Sequence, residues 1–323
     1  MADTNITGPL WGYEYRSRRL AGLWPTSVYV ALTGTQKAIF GYGYTNTVLS
    51  MTNLVSNAGV VGNDVTGVGT ARNGLAAAGY GSDKAIFGYG SVSTYTAVTN
   101  KVSNTGVVAT DTAGVGTARD SLAAAGYGTD KAIFGYGYAS SGPKVSMTNL
   151  VSNTGVVASD TAGVGTARSG LAAAGYGTDK AIFGYGSTNV DTAITNLVSN
   201  TGVVATDTAG VGTGRYYLAA AGYGGDKAIF GYGRNQSAST FSVTNLVSNT
   251  GVVATDTAGV GTSRYDLAAA GYGIDKAIFG YGFNGSTAVS ITNLVSNTGV
   301  VTTDTAGVGT AREYLAAAGY SLS

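Results

Sequence analysis

The sequence predicts an all-β protein: a six-bladed β-propeller of four-stranded blades, closed by its C-terminal innermost strand and preceded by a non-repeat N-terminal segment. Three observations carry this. KAIFGYG recurs six times, with Phe40, Phe87, Phe134, Phe183, Phe230 and Phe279 equivalent and 47 or 49 residues apart. Each unit holds four short β-type runs rich in Val, Ile, Thr and aromatics and shows no 3.6-residue periodicity, as a propeller blade of this size requires. Lastly, the repeats are permuted: they begin at a second strand, Lys37, and end on a first strand, Leu315–Tyr320.

Residues 1–36 lie outside the repeat and are expected to form an attachment or docking segment, or a tail packed over the domain at 37–323. They contain both tryptophans, Trp11 and Trp24, with Tyr13 and the pair Arg18–Arg19 as the candidate docking residues. Within a unit the first run is LAAAGY, whose small residues suit the crowded strand nearest a propeller axis. G-x-D-K then turns the chain into KAIFGYG, whose Phe and Tyr are large enough to fill the wedge between blades. The third run ends in TNLVS, and N-T-G leads to the fourth, VVATDTA. Both turns have hairpin chemistry. The closing strand has two candidates, Val28–Gln36 and Leu315–Tyr320. The second is favoured because it matches the other first strands almost letter for letter, and closure removes an unpaired edge.

Composition narrows the function. The formal net charge is +1 and only 11% of residues are charged, so no electrostatic footprint for nucleic acid or an anionic membrane is present. There is neither cysteine nor histidine, which removes disulfides, thiolate and imidazole metal ligands and the commonest general base. No secretory leader is read at the N-terminus and no run reaches the length of a membrane span. The expected location is a virion, otherwise the extracellular space or the cytoplasm.

The motif Arg-x-x-Leu-Ala-Ala-Ala, a short turn and Ala-Ile-Phe-Gly-Tyr-Gly resembles the kelch repeat, R-x-x-x-A-A-A followed by I-Y-V-x-G-G, over residues 37–320. Gly-Tyr-Gly stands where kelch repeats carry a double glycine, and the kelch outer-strand tryptophan is absent. The resemblance implies kelch-like propeller topology. The near-identical, cysteine-free repeats also resemble those of bacteriophage tail and surface proteins, which implies a structural role in a particle.

Comparing the copies with one another isolates where they differ. One variable place follows FGYG and includes Tyr44, Tyr95, Tyr138, Arg234 and Phe283. The other is the pair after the repeat arginine, including Tyr216, Tyr217, Tyr265, Asp266, Glu313 and Tyr314. Alternating strand direction brings both places to one face. Aromatic rings beside amides, hydroxyls and charges suit recognition of a glycan or protein, whereas unconstrained loops also drift. These eleven residues are the candidate ligand-binding set.

The invariant polar residues read as structural. Arg72, Arg119, Arg168, Arg215, Arg264 and Arg312 tie a loop to a neighbour, and the aspartate of T-D-T-A-G caps a turn, one carboxylate per unit being too few for calcium. G-V-G-T lacks the lysine and the helix of a phosphate loop, and the lysine of D-K-A-I-F is solvated at a hairpin edge. No catalytic residue, metal site or cofactor is expected, because equivalent carboxylates stand too far apart for paired acid–base work. The expected function is a non-catalytic particle component that presents one propeller face to a host receptor or glycan. A free microbial lectin and a protein–protein scaffold are the alternatives.

Overall fold

The structure, a computed structural model, describes residues 36–140 and 142–320. All of them belong to the unit Gly34–Ser323. The docking candidates Trp11, Tyr13, Arg18, Arg19 and Trp24, and the alternative closing segment up to residue 35, lie outside the described residues.

Among the described residues there is no helix, and the repeats form three-stranded antiparallel sheets. In the second sheet Ala76–Tyr80 pairs with Lys84–Gly88, which pairs with Thr99–Val102. The third to sixth sheets repeat this, with first strands at Ala123–Tyr127, Ala172–Tyr176, Ala219–Tyr223 and Ala268–Tyr272. The first sheet is assembled from both ends of the repeat region: Lys37–Tyr44 pairs with Val48–Val55 on one side and with Ala316–Tyr320 on the other. The C-terminal run is thus the strand that completes the sheet.

Each turn behaves as its letters require. In Gly177-Thr178 both residues are left-handed, φ 59° and 68°, as a primed hairpin turn needs. At the second hairpin the Ser199 hydroxyl accepts from the Thr201 and Val203 amides. The expected fourth strand is not a strand. VVATDTA touches the third only at isolated bridges, such as Val198↔Val204 and Thr195↔Thr208, and then runs on exposed. Its second valine packs into the core, as Val157 and Val301 do, but the Ala, Thr and Asp after it stay exposed and hold no continuous ladder.

Among the described residues the core is six separate clusters, each between two consecutive sheets, with the sixth between the sixth sheet and the first. Phe40 faces the sixth sheet, whereas Ile39 and Tyr42 face the second. Two-residue alternation would place Phe40 and Tyr42 on the same side. The register shift between Gly41 and Gly43, with Tyr42 at φ 64°, turns the tyrosine over. Every gap therefore receives a Tyr from one sheet and a Phe from the next; the Tyr42 and Phe87 ring centroids are 5.1 Å apart. The glycine before the tyrosine makes room for this: a Cβ on Gly184 would lie 2.7 Å from Cζ of Phe230.

Two polar clasps cross the same gaps. Arg72 is fully buried and donates to the carbonyls of Tyr89 (2.8 Å) and Thr70 (3.0 Å) and to Asn100 Oδ1 (2.7 Å), while its guanidinium lies 4.4 Å from the Tyr42 ring centroid. The other five arginines repeat this, Arg312 donating to Tyr42 O and Asn53 over the ring of Tyr281. The aspartates do not cap their own turns. Asp111 accepts from the amide and hydroxyl of Thr70, in the preceding linker, and from Asn100. Asp64 accepts in the same way from Thr310, 246 residues away.

Candidate functional site

The two variable places meet. Within each sheet the first residue after GYG is bridged to the first residue of the pair after the arginine: Tyr44↔Glu313, Asn73↔Ser91, Ser169↔Ser187, Tyr216↔Arg234 and Tyr265↔Phe283, with Asp120↔Tyr138 in a two-stranded ladder. Symmetry breaking is thus gathered at one end of the sheets, and the invariant G-x-D-K turns lie at the other end of the same strands.

The second residue of each pair does something sequence reading did not reveal. Gly74, Ser121, Gly170, Tyr217, Asp266 and Tyr314 all have φ between 50° and 63°. Their backbones are joined head to tail: Ser121 donates to Gly74, Gly170 to Ser121, Tyr217 to Gly170, Asp266 to Tyr217, Tyr314 to Asp266, and Gly74 back to Tyr314, at 2.7–3.0 Å. Left-handed backbone disfavours any residue with a Cβ, so glycine is the low-cost choice and two copies have it. The other four carry a hydroxyl, a carboxyl and two phenols instead.

These six residues line a cavity of about 70 Å³ above a collar of leucines that includes Leu75 and Leu267. Tyr217 packs with its ring centroid 4.7 Å from that of Tyr216, the planes tilted by 53°, and meets Tyr314 edge-on at 5.6 Å. Beyond Tyr216, the Arg234 guanidinium lies 5.7 Å from that ring and 4.6 Å from the ring of Tyr265, which pairs with Phe283 at 5.6 Å. With Asp266, which lines the same cavity, seven of the eleven candidates form one connected cluster. Tyr95 and Tyr138 form a second, edge-on at 6.3 Å. Tyr138, Tyr216 and Tyr217 share a groove of about 500 Å³ with Lys144, Asn189 and Gln236, three residues not among the candidates. Tyr44 and Glu313 pair through backbone bonds of 2.8 and 3.0 Å, outside both cavities.

The site's electrostatics differ from those of the rest of the sheets. Burial pushes Asp120 up to about 6 and raises Glu313 above the usual carboxylate range. Burial, then the Glu313 charge, raises Asp266 well above it, and a hydrogen bond from Tyr314 only partly opposes them. The phenols of Tyr217 and Tyr314 are held far from ionisation, first by burial and then by Asp266. Among the described residues three buried side-chain polar atoms lack a hydrogen-bond partner: Asp191 Oδ1, Arg234 Nε and Asp266 Oδ2. All three belong to variable positions.

At the opposite end a cavity of about 330 Å³ is lined by the glycines of AAAGY and by Lys84, Lys131, Lys180 and Lys227. Its lysines pair with the aspartate before them, at 2.6–3.3 Å. Gln36 stands in that aspartate's place before Lys37, and its carbonyl accepts from the Gly273 amide.

No protein-family model matches the chain, and no curated protein matches it.

Proposed function

We propose that the chain is a non-catalytic binding protein of a phage or virus particle. In this reading the six sheets are the blades of a closed, kelch-like β-propeller, residues 1–36 hold it to the particle, and the variable face meets a host-surface receptor or glycan. Closure is supported by the cycle of six backbone hydrogen bonds and by the sixth core cluster joining the last sheet to the first.

One observation carries the binding role. Buried polar groups are nearly always paired. Every copy of the invariant Arg, Asn and Asp is paired, while the three unpartnered atoms all sit where the copies differ. Buried groups left open beside clustered rings have the character of a surface completed by a ligand. A groove lined by hydroxyls, amides and phenols favours a glycan.

Two experiments test it. The purified full chain on a glycan array is expected to bind a restricted set of sugars, and a blank array contradicts the glycan reading. Deleting residues 1–35, so that Gln36 keeps its bond to Gly273, is expected to leave a folded domain that no longer enters particles. Normal incorporation would remove the attachment role.

A further inference from the structure

Asp266 is the buried carboxylate of the described residues, 5% exposed, and its Oδ2 has no hydrogen-bond partner. It lines the central 70 Å³ cavity with Ser121, Tyr217 and Tyr314. Two sister copies place glycine at this position, so a carboxylate there is no requirement of the fold. It is costly twice over, through left-handed backbone and through burial of an acid.

The surroundings point to what would match it. Glu313 adds negative charge, the charge of Asp120 reaches Tyr217, and the cation whose field reaches Asp266 is Arg234. That guanidinium is held over the Tyr265 ring and makes no hydrogen bond to the carboxylate. A water or sugar hydroxyl could donate to Oδ2 but would leave the surplus of acid uncompensated. A primary ammonium supplies three donors and a positive charge, and phenol ring faces attract it. A cavity of this volume admits the head of such a group, and a quaternary one would bring no N–H donor to Oδ2.

We infer that the Asp266 pocket at the centre of the variable face binds a primary ammonium group. This rests on that face being a contact surface, and not on the ligand being a glycan. Binding needs the ionised carboxylate, so uptake of the ammonium releases a proton and affinity rises with pH. Glu313, Asp120 and Arg234 shift that dependence, and the Tyr217 and Tyr314 phenols stay neutral throughout.

The test is a titration of the full chain with methylammonium chloride, ionic strength being balanced with tetramethylammonium chloride. The backbone amide signals of residues 266 and 314 are followed by NMR. Saturation is expected with a Kd of about 6–50 mM, the range open to a ligand of so few atoms. Binding should be weaker at pH 5 than at pH 8, following the linkage between proton and cation. It should vanish in Asp266→Asn and in Asp266→Gly, the latter restoring what Gly74 and Gly170 have. Undiminished binding by either folded variant, no saturation at all, or equal affinity for potassium would overturn the inference. A blank glycan array with Asp266-dependent methylammonium binding would remove the glycan reading and leave the pocket standing.

Discussion

At the scale of single residues the invariant and variable positions obey opposite rules. Arg168 is buried with every donor nitrogen satisfied, by Tyr185 O, Thr166 O and Asn196 Oδ1. Arg168→Ala would strand those acceptors, and a loss of about 3–5 kcal/mol is expected in urea unfolding. Asp120 is the reverse case. Burial lifts its folded-state value to about 6, against about 4 in an unfolded chain. A raised carboxyl favours folding while protonated, and that contribution is lost as pH rises from about 4 through about 6. Asp120→Asn is therefore expected to stabilise the protein at pH 8 by about 1–2 kcal/mol, after discounting for solvent, with no gain below pH 4. The structural role of the arginines was legible from their repetition. The left-handed backbone at Tyr217, Asp266 and Tyr314 was not, because φ is set there by the hydrogen bond to the next copy and nothing local announces it.

At the scale of the strand and its sheet, close approach governs. Gly184→Ala places a methyl against the buried Phe230 ring, and overpacking of this kind should cost about 1–3 kcal/mol in the same assay. The aspartate clasps respond to pH. Burial alone would raise Asp111 and its equivalents, but hydrogen bonds from the threonine and asparagine outweigh it and hold them below the usual value. Depressed carboxyls give stability that is complete above about pH 4 and is lost as pH falls through their folded values. The urea midpoint is expected to drop below pH 4, and Asp207→Asn to flatten part of that drop. Sequence pattern found three of the four runs in each unit. The fourth failed because Val and Thr have strand propensity that only packing can realise, and past its second valine that segment stays exposed.

At the scale of the whole repeat region, both chain ends of the domain meet in one sheet, where Lys37 pairs with Tyr320 and Gly41 with Ala316. This was readable because permuted repeats leave a matching strand at each end. Removing residues 315–323 should expose one edge of Lys37–Tyr44 and empty the pocket beside Phe40. Light scattering should then show aggregation on warming, whereas a shortened chain that stays monomeric would count against closure. What a sequence comparison of copies could locate was the variable face; which of its residues join the connected cluster depended on backbone turns it could not read.

The sharpest test of a contact role for that face is replacement of Tyr216, Tyr217, Tyr265 and Tyr314 together by alanine, in a variant whose circular dichroism matches the parent. On the glycan array at least about ten-fold loss of signal is expected, since buried aromatic anchors dominate such surfaces. Undiminished signal from the folded variant would contradict it.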